Sequence, residues 1–194
     1  MTEPSSPAVR VDRLRYLRVV RFFAGAFIQF IWWEIILRAL LGRSRVERSA
    51  TRRWTRIARR YRKLAVRHGG VLIKLGQFLS VRVDMLPREV TAELAGLQDE
   101  VPAESLVDIQ RVIEQEYGQP IDKVFQWFAP VPEAAASLAQ VHRARLLTGN
   151  DVVVKVQRPR IETIVETDLQ AILTAARWLK RYPPVRRRVD MDRL

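Results

Sequence analysis

The sequence predicts an α+β protein, with a long helical front followed by a short antiparallel sheet and a closing helix. Three observations carry this. Apolar residues recur at three- and four-residue steps as far as Tyr117, and after Pro120 the pattern breaks into short strand-like runs separated by turn residues. The helical period then returns after Pro159 and lasts to Arg181.

The chain has 194 residues, 48% hydrophobic and 28% charged, enough for one ordinary domain or a small domain with an extension. There is no cysteine, which excludes disulfides and thiolate metal sites and is compatible with a reducing compartment. His68 and His142 are far apart in sequence, and no metal-ligand spacing is present. The formal net charge of +13 lies wholly in residues 1–70, which hold 17 Lys and Arg against 4 Asp and Glu. A front this basic points to an anionic partner surface, membrane phosphate or nucleic acid.

Met1 to Ala8 reads as a Pro/Ser-rich tail, and Arg10 to Arg21 carries five arginines ahead of the apolar run Phe22 to Leu41. No small-residue cleavage site follows that run, so a signal peptide fits poorly. Phe22 to Leu37 would give about 24 Å of helix against a hydrocarbon core of about 30 Å. Extension to Leu41 includes Gln29, Glu34 and Arg38, of which Glu34 and Arg38 are spaced to pair. Arginines flank both ends, so a helix lying in the interface fits better than a span; a helix buried against protein is the alternative.

In Arg43 to Arg67, the cations Arg45, Arg48, Arg52, Arg56, Arg59, Lys63 and Arg67 step by three or four. Val46, Ala50, Trp54, Ile57, Tyr61 and Leu64 form a second stripe, making an amphipathic helix with one basic face. Anionic lipid headgroups are the first expectation for that face, each cation contributing about 1 kcal/mol near a surface. Nucleic acid is the second, without a zinc finger, basic zipper or aromatic RNA-binding signature to favour it.

After the Gly69-Gly70 break, Val71, Leu72, Leu75, Phe78 and Leu79 give a helix with a broad apolar face. Lys74 and Gln77 share one surface of it, and Gly76 leaves a notch where a backbone or a ligand can approach. Either these are a solvated edge and a packing glycine, or they present a lysine and an amide together. Pro87 suits the start of the next helix, with Val90, Leu94 and Leu97 inward. Pro102 opens another with Leu106, Ile109, Ile113 and Tyr117 inward, stopped by Gly118 and Pro120, so residues 70–118 read as three packed helices.

Strands follow at Phe125 to Ala129, Gln140 to Leu147 and Val152 to Gln157, the last two joined by the turn Thr148-Gly149-Asn150-Asp151 and paired antiparallel. Val152, Val154 and Val156 face one way and Lys155 the other. Lys155 is either an ordinary edge lysine or a phosphate ligand. The loop Pro132 to Ala139 has small residues that let backbone amides approach an anion, stiffer than a glycine loop would be. Strand, small-residue loop, strand, hairpin and strand with central lysine is the order of an ATP-grasping small lobe.

These residues carry a resemblance. KLGQ (Lys74 to Gln77) resembles the Lys-x-Gly-Gln signature of the UbiB, or aarF-domain, atypical kinase-like family. PEAAASLAQVHRA (Pro132 to Ala144) resembles its alanine-rich loop, VVVKVQRP (Val152 to Pro159) its lysine strand, and LPREVTAELAGLQDEVP (Leu86 to Pro102) its segment after KxGQ. The resemblance covers about Tyr61 onward. It implies an incomplete protein-kinase-like small lobe behind the helical front. It also implies that Lys155 meets nucleotide phosphates, that Ala134, Ala135, Ala136, Ser137, Leu138, Ala139 and Gln140 cradle the nucleotide, and that Lys74 and Gln77 reach over the cleft.

The expected divisions are residues 1–68, basic and membrane-proximal; 69–118, the KxGQ helices; and 119–194, the partial small lobe. The implied ligands are ATP or ADP with Mg2+, whose protein ligands are expected beyond Leu194, in a longer protein of which this is the front. The implied function is an atypical kinase or ATPase linked to isoprenoid quinone or lipid metabolism, cytoplasmic and membrane-associated, this portion alone being inactive. Anionic or isoprenoid lipid is the expected partner, nucleic acid is not, and a homo-oligomer stays open. A non-catalytic membrane-bound scaffold or pseudokinase is the alternative. Ile161 to Arg181 reads as a helix packing through Ile164, Leu169, Ile172, Ala176 and Leu179. Glu166-Thr167-Asp168 imitates a family Glu-x-Asp motif and reads as ordinary helix surface.

Overall fold

The computed structural model describes residues 11–37, 40, 43–98 and 101–181. The expected tail, the Glu34–Arg38 pairing, the side chains of Arg45 and Arg48, and residues 182–194 lie outside the described set.

Helix α1 (Arg13–Ile31) starts on Asp12, whose carboxylate accepts the amides of Leu14 at 3.0 Å and Arg15 at 3.1 Å, and it runs on as a π-helical turn over Trp32–Leu37. Helix α2 (Arg43–His68) ends at Gly69 and Gly70, with φ of 65° and 68°, left-handed conformations that glycine adopts without strain. Helix α3 (Val71–Ser80) follows directly, and α4 (Arg88–Ala95) runs into a 3-10 turn over Gly96–Gln98. These helices and α6 (Ile161–Arg181) share one core built from Val19, Tyr61, Leu72, Ile73, Leu94, Leu97 and Ala171, among others.

Helix α5 (Leu106–Tyr117) starts on Ser105, whose hydroxyl accepts the amide of Asp108, rather than on Pro102 as the sequence suggested, because Ser105 can satisfy a first-turn amide. It also does not pack with α3 and α4. Ile109 and Ile113 join Phe125, Ala144 and Val156 in a second core beneath the sheet.

The sheet holds β1 (Phe125–Phe128), β2 (Ala134–Ala135), β3 (Ala139–Leu146) and β4 (Asp151–Gln157), all antiparallel. β3 is central: β1 and β2 pair successive parts of one edge and β4 the other. The hairpin turn closes as expected, with Gly149 at φ 90° and the Leu146 amide donating to the Asn150 carbonyl at 2.9 Å.

Helix α6 has the predicted limits but buries another face: Ile161, Thr167, Asp168, Ala171 and Ala175 are inside, while Leu169 and Leu179 are exposed. Asp168 and Thr167 are therefore core residues and not helix surface. The reason is a polar contact with α1: both Asp168 oxygens are taken by Arg15.

Candidate functional site

The pleat places Lys155 where the alternation of β4 requires. In register, Ala134 faces Val141 and Val141 faces Lys155, so the three side chains form one row on the same face of the sheet. Lys155 and Ala134 thus flank Val141, their strands separated by two spacings of about 4.8 Å each. Lys155 is exposed on that face. The opposite face carries Gln140, His142, Ala144 and Val156, all buried.

Gln140 is fully buried and points away from Lys155. Its carbonyl oxygen accepts the Glu104 amide at 2.8 Å, and its Nε2 donates to His142 Nε2 at 2.8 Å. That contact leaves the His142 proton on Nδ1, which donates to the Ala129 carbonyl at 2.8 Å, while the ring stacks on Phe128 at 4.8 Å. This polar ladder supports the alanine turn from beneath.

The turn is held by contacts the sequence did not disclose. The Ala136 amide donates to the Ala139 carbonyl at 2.8 Å, and the Arg158 amide donates to the Leu138 carbonyl at 3.1 Å. The guanidinium of Arg158 then donates from Nε to the Ala136 carbonyl at 3.0 Å, from Nη2 to the Pro102 carbonyl at 2.6 Å, and from Nη1 to the Glu104 carboxylate. Arg158 is buried. A strand-end arginine reads as surface charge in sequence, and only its place three residues after Lys155 hinted otherwise. Ser137 and Ala139 are buried, whereas Ala134, Ala136 and Leu138 stay exposed beside the lysine row.

Lys74 and Gln77 belong to the helical body. Lys74 is exposed. The Gln77 amide donates to the Leu97 carbonyl at 3.1 Å, which ties α3 to the 3-10 turn after α4. The notch at Gly76 is filled by protein: a Cβ there would meet Leu97 Cδ1 at 2.2 Å and Tyr61 Cε1 at 3.0 Å. Gly76 is a packing glycine, and Phe78 lies outside the core face, 53% exposed, because α3 turns Leu72, Ile73 and Gly76 inward.

The N-terminus of α3 is held from a distance. Gly70 has no side chain to cap it, so the Val71 amide donates to Asp168 Oδ2 at 3.2 Å. Arg15 also donates to the His68 carbonyl at 2.7 Å and the Gly69 carbonyl at 3.3 Å, closing the end of α2. Nearby, burial and then the charge of Asp168 push the Tyr61 phenol far above its ordinary range; its hydroxyl donates to the Leu72 carbonyl at 2.6 Å.

Among the described residues, no cluster of three or more His, Cys, Asp or Glu is suited to a metal ion.

Residues 96–194 match the family described as the ABC1 atypical kinase-like domain. An uncharacterized protein of Synechocystis sp. is 49% identical over 115 residues, covering 59% of this chain and 20% of that protein. A Pseudomonas aeruginosa protein named probable protein kinase UbiB is 41% identical over 160 residues, covering 81% of this chain and 29% of that one. The chloroplastic protein ACTIVITY OF BC1 COMPLEX KINASE 7 of Arabidopsis thaliana is 45% identical over 120 residues, covering 62% and 17%. The chain thus spans at most about three tenths of these curated relatives' length. A Mycobacterium tuberculosis protein solved with erythromycin aligns at 27% identity and a TM-score of 0.38, covering 76% of this chain and 36% of that one.

Proposed function

The chain belongs to the ABC1 atypical kinase-like family, which includes the UbiB proteins, and from that premise we propose that it supplies the phosphate-binding small lobe of an adenine-nucleotide-dependent kinase or ATPase. The observation that carries this reading is the row Ala134–Val141–Lys155, an exposed ammonium on the same sheet face as a turn clamped by Arg158. A cation beside exposed small-residue backbone suits a phosphate group: the ammonium meets the charge and the absent side chains permit approach. Lys155 would hold nucleotide oxygens, with the turn from Ala134 to Ala139 alongside. Bound Mg2+ would neutralise phosphate charge, and none of the described residues is assigned to it.

Lys74 and Gln77 are proposed to act on that site through the helical body. Gln77 fixes α3 against Leu97, and Lys74 is the exposed cation of the same helix. The proposed context is isoprenoid quinone or lipid metabolism at a membrane, on the strength of the UbiB name carried by relatives.

Thermal stabilisation of the intact protein by ATP with Mg2+ tests the nucleotide reading. Lys155→Met is expected to reduce it strongly without lowering the unliganded melting temperature, and an undiminished shift in that variant excludes the assignment.

A second reading concerns the surface. Ile28, Trp32, Ile36 and Leu40, at four-residue steps, are 65%, 52%, 37% and 74% exposed, and Arg52, Arg56, Arg59, Lys63 and Arg67 of α2 are exposed cations. An outward apolar ridge with a basic helix favours contact with an anionic membrane surface. Among the described residues no helix is long and apolar enough to cross a membrane. Flotation with vesicles containing phosphatidylglycerol, compared with RNA binding at physiological salt, tests this; RNA binding without flotation reverses it.

A further inference from the structure

Between α1, α2, α4 and α6 the helical body forms a half-open cavity of about 370 Å3. Its wall is apolar and aromatic throughout, from Phe23 and Phe27 on α1 to Trp54 on α2, Leu94 on α4 and Trp178 on α6. Tyr61 contributes its ring, and its hydroxyl is engaged by the Leu72 carbonyl at 2.6 Å. Such a wall offers no polar partners to hold ordered water, and at 370 Å3 the volume falls in the range of small-molecule sites, about 300–1,000 Å3.

The dimensions and the surroundings select the occupant. The wall is almost wholly apolar and offers no partner to the polar groups of a peptide, so the space suits a flexible hydrocarbon chain. Helix α1 is also apolar on two sides: Phe27 and Phe30 line the cavity, while Ile28 and Trp32 face outward, 65% and 52% exposed. The cavity wall is thus continuous through one helix with an exposed apolar surface of the kind that meets lipid.

We propose that this cavity holds the hydrocarbon chain of a lipid. Acyl and isoprenoid chains share the chemistry this wall recognises, and competition separates them. No residue of the sheet contributes to the wall, so the proposal is independent of the role of Lys155.

The experiment is titration of the intact protein with cis-parinaric acid, a fluorescent fatty acid, reading its emission on excitation of tryptophan. Saturable emission with one equivalent is expected, because Trp54 and Trp178 are in the wall. Ala58→Phe and Ala175→Phe put a ring into the cavity and are expected to weaken uptake about tenfold or more. Ala26→Phe, at a half-buried position on α1, serves the same purpose if the core variants do not fold. Displacement by oleic acid identifies an acyl-chain site and displacement by farnesol an isoprenoid one, and either supports the proposal. It is overturned by the absence of saturable emission, by displacement with neither competitor, or by unweakened uptake in a cooperatively melting Ala26→Phe variant. Self-association abolished by these substitutions, without any parinarate uptake, would assign the cavity to a second copy of the chain and also overturn it.

Discussion

Asp168 on α6 and Arg15 on α1 meet as a two-pronged ion pair, Nε to Oδ1 at 2.7 Å and Nη2 to Oδ2 at 2.8 Å, with side chains 0% and 8% exposed. The pair does more than join two helices. Asp168 also caps α3 at Val71, and Arg15 also closes α2 at His68 and Gly69. The Asp12 amide adds a bond to Thr167 Oγ1 at 3.0 Å. Four helices are therefore registered at one point.

Breaking this pair from one side leaves an uncompensated buried charge. Arg15→Met or Asp168→Leu alone is expected to destabilise the protein by about 3–5 kcal/mol. The double replacement Arg15→Met with Asp168→Leu is expected to cost less than the sum of the single ones. Urea denaturation of all four proteins measures the coupling, and strict additivity would refute it.

Gly76 has no room for a methyl group, with Leu97 Cδ1 at 2.2 Å and Tyr61 Cε1 at 3.0 Å from an added Cβ. Gly76→Ala is expected to destabilise by about 1–3 kcal/mol through overpacking. Gly25, on α1, has nothing within 4 Å, so Gly25→Ala serves as the matched control and is expected to be neutral or stabilising in thermal denaturation.

His68 titrates below its ordinary value of 6.5, first through desolvation and then through Arg15, Arg18 and Arg67. The unfolded chain therefore binds a proton here at a pH where the folded chain does not. This histidine's contribution is present above pH 6.5 and is lost as pH falls from there through the lower folded value. His68→Gln is expected to flatten the decline in stability between pH 7 and pH 5. An unchanged slope would show that other groups dominate it.

Arg158 holds the alanine turn to residues 102–104. Arg158→Ala removes charge-assisted bonds to two carbonyls and Glu104, and is expected to destabilise by about 2–3 kcal/mol. Arg158→Lys keeps the charge without the fork and is expected to recover only part of that. Hydrogen exchange at the Ala136 amide reads the turn directly, and protection equal to that of the parent would remove Arg158 from this role.

Local rules made much of the architecture legible. Alternation alone set Lys155 opposite the valines of β4, and the return of the helical period after Pro159 gave α6 its limits. Ser105 followed by Asp108 is a start signal that was available in the sequence and lost to the more conspicuous Pro102. β2 was not legible, because two alanines have neither strand propensity nor a period. Nor was the buried face of α6: its hydrophobic residues suggested one side, and the outcome was decided by a salt bridge to a residue 153 positions away. The KLGQ signature was visible, yet the filling of the Gly76 notch by Leu97 and Tyr61 depends on contacts that spacing does not encode.

The 153-residue separation between Arg15 and Asp168 also has a consequence for biosynthesis. Ribosomes add about 5–20 residues per second, so α1 is made about eight to thirty seconds before its partner helix. Throughout that interval the side of α1 that α6 covers is open. A chaperone or a nearby bilayer that shelters it meets the nascent chain first, and α6 must then displace that shelter to complete the fold.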